Sequence, residues 1–351
     1  MPRTTAGPLL AIASAVLFGA STPFAKLILG AGVDPWLLAG LLYLGAAAGL
    51  SAAHLVRARL GAGGGEARLA RRDWPWLVAV IAAGGIAGPV LLMLGLAATP
   101  AATAALLLNL EGLSTLAIAW LVFHESVDRR LLVGAAAILA GAGVLSWQGG
   151  PAGFGLGALL VAAACLAWGI DNNLTRKLSA SDPIALALVK GAVAGTVNLA
   201  LALAGGAAMP GPGLVAAAGV VGFLGYGVSL ALFVLALRHL GAARSGAYFS
   251  TAPFVGAVLA IVVLGEAPTP ALVAAGCLMA LGVYLHLTEA HAHEHAHDAL
   301  AHDHRHVHDE HHRHEHGPDV PAGEPHSHPH VHAPLTHRHP HYPDLHHRHR
   351  H

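Results

Sequence analysis

Ten long apolar runs follow one another through this sequence, and they constrain its fold more than any other feature. They cover approximately residues 8–29, 35–56, 75–98, 101–122, 131–147, 155–175, 183–205, 213–237, 243–264 and 268–287. A helix needs about 20 apolar residues to cross roughly 30 Å of hydrocarbon. Charged residues make up only 11% of the chain, and most of them lie outside these runs. The sequence therefore predicts an all-α membrane protein with ten transmembrane helices, which we number as spans one to ten.

Lysine and arginine residues are concentrated in alternate connections between the spans. They are Arg57, Arg59, Arg68, Arg71 and Arg72 after span two, Arg129 and Arg130 after span four, Arg176 and Lys177 after span six, and Arg238 and Arg244 around the connection after span eight. Because cytoplasmic loops retain basic residues, we predict that both termini are cytoplasmic. We expect a multi-pass protein of the cytoplasmic (inner) or plasma membrane, surrounded by the lipid bilayer.

The membrane part of the chain resembles itself at a distance of about half its length. At offsets of 150 or 141 residues, Phe18-Gly19 matches Trp168-Gly169, Lys26 matches Arg176, Gly84 matches Gly225, Gly112 matches Pro253, and Glu125 matches Glu266. Ordered self-similarity of this kind indicates an internal repeat. Since each repeat has five spans, the second copy enters the membrane from the opposite side, an arrangement that suits alternating access. We divide the chain into two five-helix repeats, residues 1–147 and 148–290, and a tail, residues 291–351.

These residues resemble the EamA domain of the drug/metabolite transporter superfamily. The resemblance rests on the aromatic-glycine pair in the first span of each half, the small residues of the fourth span, and the closing glutamates Glu125 and Glu266. It implies a ten-helix secondary carrier that exports amino acids or other small metabolites without ATP. One departure is Glu111-Gly112 in the fourth span, where the family often has Glu-Pro; the proline is kept in the second repeat as Pro253.

The fourth span carries the most unusual charge of the sequence. Glu111, Ser114 and Thr115 are spaced i, i+3 and i+4, so they share one helix face. Charges inside a membrane usually face a bundle interior or an aqueous cavity. We therefore predict that this face binds substrate, with Glu111 holding a cationic group or taking up a proton. A protonated glutamic acid that bonds to a neighbouring helix is the alternative.

Further candidate substrate-binding residues lie in spans that an inverted repeat would place across the cavity. They are Phe18 and Ser21 in span one, Trp168, Asp171 and Asn172 in span six, Tyr226 in span eight, and Tyr248 in span nine. The aromatic residues have packing against neighbouring helices or lipid as their alternative role.

Asp171 and Lys190 are predicted to form a structural ion pair. At 1.5 Å of rise per residue, each lies about 10 Å inside the cytoplasmic boundary of its span. Spans six and seven are joined by a short connection and run antiparallel, so the two charges reach similar depth. Snorkelling of Lys190 to the interface is the alternative.

The tail differs in character from the rest of the chain. Residues 291–351 contain 23 histidines and almost no large apolar side chain. Such a segment cannot bury a core, so we expect a disordered cytoplasmic tail. Imidazole binds Zn²⁺, Ni²⁺ and Co²⁺. The candidate ligands are His291, His293, His295, His297, His302, His304, His306, His308, His311, His312, His314, His316, His326, His328, His330 and His332. Low-complexity drift is the alternative to a physiological metal role.

Three functions are compatible with these features. The leading one is a secondary transporter that exports a small organic solute by alternating access. The others are a carrier that exports, or is regulated by, a divalent cation such as Ni²⁺, Co²⁺ or Zn²⁺, and a membrane metal sensor that transports nothing. We expect no enzyme activity, since the sequence has no Walker loop or nucleophile elbow. We expect no required cofactor and no nucleic-acid partner; a divalent transition metal on the tail and homodimer formation are left open.

Overall fold

The computed structural model describes residues 6–59, 74–123, 127, 129–147, 154–175, 183–288 and four tail segments. In the first repeat the helices are α1 (Ala6–Gly30), α2 (Pro35–Arg59), α3 (Trp74–Val80), a π-helical segment π1 (Ile81–Ala87), α4 (Gly88–Ala97), α5 (Ala101–Leu107), α6 (Leu110–Leu121) and α7 (Arg129–Ser146). In the second they are α8 (Leu156–Thr175), α9 (Pro183–Ala204), α10 (Pro212–Gly222), π2 (Phe223–Val228), α11 (Ser229–Phe249), α12 (Ala252–Leu264) and α13 (Pro270–Leu287).

The predicted all-α membrane bundle is confirmed. Within the described ranges, nine helical stretches are long and apolar enough to cross a membrane, and α12 adds a shorter apolar helix. Span three consists of α3, π1 and α4, and span four consists of α5 and α6. Span eight begins with α10 and π2, and span nine ends with α12.

The connection between spans eight and nine lies inside α11. The ring centroids of Phe233 and Phe249 are 4.8 Å apart, whereas 16 residues of a straight helix would extend about 24 Å. The chain therefore reverses direction within α11, near the connection predicted from the sequence. The backbone of this connection is helical.

Because successive spans alternate in direction, their connections meet at two ends of the bundle. We call the end that holds the links 31–34, 98–100, 205–211 and 265–269 the distal end. We call the opposite end, where α2, α8 and α13 end and α3, α7 and α9 begin, the proximal end. The larger buried cluster, which includes Leu37, Leu96 and Leu107, lies almost wholly in the distal halves of the spans. A much smaller cluster around Leu77 and Leu186 lies in the proximal halves.

Spans three and eight are each interrupted by a π-helical segment. π1 contains Gly84 and π2 contains Gly225, two glycines that match in the internal repeat. A wider π turn disturbs the regular backbone hydrogen bonding and bends a helix. Pro89 is the second residue of α4, within its first turn, where a missing N–H costs least. Both interruptions lie near the middle of their spans.

Spans four and nine are broken in mid-membrane. Leu108 and Asn109 separate α5 from α6, and Ser250 and Thr251 separate α11 from α12. The Asn109 amide donates to the Leu106 carbonyl at 2.8 Å and also lies 3.8 Å from the Met279 sulfur, so it satisfies its own helix end and contacts α13. Broken helices that line a central site are typical of carriers built from inverted repeats.

The described part of the tail contains four strands where its composition predicts disorder. They are β1 (His291–His297), β2 (Leu300–His306), β3 (His326–His332) and β4 (Leu335–His341). β1 pairs with β4 and β2 with β3, both antiparallel. Histidine at alternate positions has the two-residue period of a strand, which accounts for the extended backbone. A two-stranded ribbon is only marginally stable on its own.

Candidate functional site

Glu111 lies in the first turn of α6, directly after the break in span four. Its Oε1 accepts a hydrogen bond from the Asn172 amide at 3.0 Å. The same amide lies 3.2 Å from the Thr115 hydroxyl, which itself donates to the Glu111 carbonyl. Asn172 is exposed and Glu111 is half-buried. Three of the predicted site residues therefore form one polar group between α6 and α8.

Ser114, which the sequence places on the same face, packs against a neighbouring helix. A methyl group added at Gly169 would come within 2.7 Å of the Ser114 Cβ, so this side chain packs against α8. The Asn173 amide ties the same two helices together by donating to the carbonyls of Thr115 at 3.0 Å and Gly169 at 2.8 Å. Ser114 thus sets the distance between α6 and α8.

Asp171 and Lys190 form the predicted ion pair, between α8 and α9. The Asp171 side chain is 6% exposed and that of Lys190 is 19% exposed. The Thr175 hydroxyl donates to the second carboxylate oxygen at 3.2 Å. Lys190 therefore reaches inward to Asp171 and does not only snorkel to the interface.

The carbonyl of Gly84 in π1 is the meeting point of two further helices. It accepts the Trp168 indole N–H at 3.0 Å and the Tyr43 hydroxyl at 3.0 Å. The next carbonyl, of Gly85, accepts the amide of fully buried Asn198 at 3.2 Å. Side chains from α2, α8 and α9 thus satisfy carbonyl groups of the π segment.

Tyr43 and Asn198 are site residues that the sequence analysis missed. Each is a polar side chain within an otherwise apolar stretch of its span. Polar groups at that depth are costly unless they have partners or a function. This signal was present, but the residue pattern does not show that π1 supplies the partner.

Aromatic residues from both repeats pack against one another, and Tyr43 connects them to the Gly84 carbonyl. The Tyr226 ring lies 5.7 Å from the ring of Phe18 and 5.7 Å from that of Tyr43. Phe18 also contacts Phe249 at 5.3 Å. Tyr226 therefore links span eight to spans one and two.

Two predicted residues take other roles in the structure. The Ser21 hydroxyl is buried and donates to the Phe18 carbonyl of its own helix at 2.6 Å. Tyr248 adjoins the break in span nine, where its carbonyl accepts the Thr251 hydroxyl at 2.6 Å. Substrate contacts by these two residues stay predictions.

The assembled cluster combines groups of opposite charge with aromatic faces. Glu111 lies within electrostatic range of both Asp171 and Lys190. Such a site can hold a cationic group at Glu111, an anionic group at Lys190 and an apolar group against the aromatic rings. Side chains from spans one, two, four, six, seven and eight contribute polar or aromatic contacts, so both repeats supply the site.

No metal-binding group of three or more His, Cys, Asp or Glu side chains is found in the described residues. Of the candidate tail ligands, His308, His311, His312, His314 and His316 lie outside the described residues. The remaining eleven lie on β1, β2 and β3.

The fold and the site define a class: a polytopic membrane protein of two inverted five-span repeats with a polar centre. The chain belongs to the EamA-like transporter family, whose family model matches residues 5–147 and 155–288. It is therefore a member of a transporter family, as the resemblance in its sequence predicts.

Two curated relatives and one solved structure are similar to the chain. It is 29% identical over 288 residues to an uncharacterized transporter of Methanothermobacter thermautotrophicus, covering 78% of this chain and 84% of the relative. It is 30% identical over 224 residues to a probable terminal-alkyne amino-acid exporter of Streptantibioticus cattleyicolor, covering 63% and 75%. A crystal structure aligns with a TM-score of 0.59 and 22% identity, over 80% of this chain and 95% of the other. That structure supports the fold alone.

Proposed function

We propose that this protein exports a small zwitterionic metabolite of the amino-acid type by alternating access. The observation that carries the proposal is the joint position of Glu111 and the Asp171–Lys190 pair beside the broken span four. The amino-acid exporter among the relatives supports the same solute class. A metabolite with one ammonium and one carboxylate group would match the charges of this cluster.

The two charged ends of such a solute would bind to different side chains. Its ammonium group would bind Glu111, whose carboxylate Asn172 holds in place. Its carboxylate would bind Lys190 and displace part of the interaction between Lys190 and Asp171. Lys190 would then exchange one charge-assisted hydrogen bond for another. The rings of Phe18 and Tyr226 would face the apolar part of the solute.

The side from which the solute enters follows from the packing. The distal halves of the spans form the larger buried core, while exposed Asn172 lies only three residues before the proximal end of α8. We propose that the proximal end is cytoplasmic, as the basic connections predict, with both termini in the cytoplasm. In this arrangement the site loads from the cytoplasm, as an exporter requires.

Transport by purified protein in proteoliposomes tests the proposal. The panel pairs each amino acid with the amine that lacks its carboxylate and the carboxylic acid that lacks its ammonium group. We expect exchange of zwitterions and at least about tenfold slower exchange of either analogue, because the amine forms no charge-assisted bond with Lys190 and the acid forms none with Glu111. Equal rates for all three members of a set would contradict the proposed solute class.

We propose a second, separate function for the tail, namely binding of divalent transition metals. The strand register supports it: three histidine pairs lie opposite each other in β1 and β4, for example His293 and His339, and three more in β2 and β3. Four imidazole ligands are enough for one Zn²⁺ or Ni²⁺ ion.

Calorimetric titration of the full-length protein with Zn²⁺ and Ni²⁺ tests this function. We expect several ions to bind, and binding to disappear in a variant that lacks residues 291–351. The same stoichiometry without the tail would show that the metal binds elsewhere. Solute transport by the shortened protein, with and without metal, then separates regulation by the tail from metal binding alone.

A further inference from the structure

Lys26 binds the backbone at the distal end of span three. Its ammonium group donates to the carbonyls of Leu96 at 2.6 Å, Thr99 at 2.9 Å and Ala97 at 3.2 Å. The last carbonyls of a helix have no partner within the helix and carry partial negative charge. A lysine from span one therefore binds the end of α4 and the link that follows it.

Glu266 binds the backbone at the start of α5, on the other side of the link that joins spans three and four. Its two carboxylate oxygens accept the backbone N–H groups of Ala101 at 2.6 Å and Ala102 at 2.8 Å, at the start of α5. Gly265 ends α12 with a left-handed backbone, φ 68°, which glycine adopts without strain. This turn places Glu266 immediately beyond span nine.

Lys26 of the first repeat and Glu266 of the second therefore bind the backbone at the two ends of one three-residue link, 98–100. Lys26 and Glu266 also attract each other electrostatically. The link itself is packed, since Thr99 is buried and a methyl group at Gly157 would lie 3.0 Å from the Ala98 carbonyl. These contacts connect the link between spans three and four with spans one, six and nine at the distal end.

We propose that Lys26 and Glu266 are positioning residues that form a latch at the distal end. The gate that this latch holds closed is formed by the distal tips of spans three and four. The latch holds the tips of spans three and four against the second repeat while the site is accessible from the proximal end. Its release lets these spans swing outward for the solute to leave. The sequence matches of Lys26 with Arg176 and of Glu266 with Glu125 would place equivalent charges at the proximal end; both partners lie outside the described residues.

Thiol labelling in lipid nanodiscs tests the latch without any solute, so its outcome is independent of the proposed substrate. The background variant carries Cys165→Ala and Cys277→Ser. The reporter is Ala105→Cys, because Ala105 is fully buried in α5 and packs against Gly256 of α12. A second reporter, Ala194→Cys, is equally buried but belongs to the proximal cluster.

We expect Lys26→Met and Glu266→Gln each to raise the labelling rate of Ala105→Cys by about fivefold to tenfold, since each removes charge-assisted hydrogen bonds. Lys26→Arg keeps the donors and should stay near the parent rate. Asp34→Asn removes another distal carboxylate charge but can still accept from the Leu37 N–H, so it should change nothing. Glu266→Gln changes no side-chain size, so the test holds even if Lys26→Met fails to fold.

Unchanged labelling of Ala105→Cys in both Lys26→Met and Glu266→Gln would overturn the latch. An equal rise at Ala194→Cys would also overturn it, because that result would mean general loosening of the bundle. An equal rise in Asp34→Asn would show an effect of net charge and not of the two contacts.

Discussion

The Asp171–Lys190 pair allows us to predict how much two substitutions lower the free energy of unfolding. Removing one member of a buried ion pair leaves the other charge without compensation, which costs about 3–5 kcal/mol. Lys190 retains 19% exposure, so water offsets part of this penalty. We therefore expect Asp171→Asn and Lys190→Met to cost about 3 kcal/mol each, near the lower end of that range.

The double variant Asp171→Asn/Lys190→Met removes both charges and leaves neither unpaired. It should be more stable than either single variant, with a coupling energy of about 2 kcal/mol. Thr175→Val is a graded control, because it removes only the hydroxyl that donates to Asp171 at 3.2 Å and should cost about 1 kcal/mol.

Thermal unfolding in one detergent at one scan rate measures these differences. At about 2.1 cal/mol/K of unfolding entropy per residue, 1 kcal/mol corresponds to roughly 1–2 °C in Tm for a chain of 351 residues, and a fixed scan rate is needed because unfolding of large proteins is often irreversible. We expect each single variant to unfold about 3–6 °C below the parent, with the double variant between them and the parent. A double variant as unstable as the worse single variant would refute the pairing argument. Transport by the double variant should stay impaired, since Lys190 is lost.

Three further results are expected. Gly84→Ala should lower Tm by several degrees, because the added methyl group would overlap the Asp171 carboxylate. Gly112→Ala has open space around it and should leave Tm unchanged. Equal shifts in the two variants would contradict the packing of π1 against α8. Trp168→Phe should cost about 1–2 kcal/mol of unfolding free energy by removing a donor to the Gly84 carbonyl, and a variant with parental Tm would show that this bond adds nothing. Zn²⁺ binding by the tail should weaken as pH falls from 7 to 5, because protonated imidazole is not a ligand; a constant affinity over this range would argue against histidine ligands.

The ten spans and the depth of their charges follow from the sequence because both depend on length alone. Apolar runs of span length fix the number of crossings. The rise of 1.5 Å per residue then brings Asp171 and Lys190 to one level. No knowledge of side-chain conformation is needed for either inference, and the structure has both.

The partners of individual side chains could not be predicted in the same way. Helical spacing places Ser114 and Thr115 beside Glu111, but it does not tell how α8 is rotated against α6. That rotation decides that Asn172 binds Glu111 while Ser114 packs on Gly169. The carbonyls of π1 are a second example, since local helix geometry and not residue type makes them available to Trp168 and Tyr43.

Transport by Glu111→Gln in proteoliposomes is the most direct test of the central claim, that the charged cluster beside span four binds the exported solute. The substitution keeps the shape of the side chain and a carbonyl oxygen that can accept from Asn172, but it removes the charge. We expect zwitterion exchange to fall by about tenfold or more, because a charge-assisted bond of about 1.5–3 kcal/mol is lost. Asp34→Asn, a carboxylate-to-amide change at the distal end, should transport normally. Parental rates and parental pH dependence in Glu111→Gln would contradict the account.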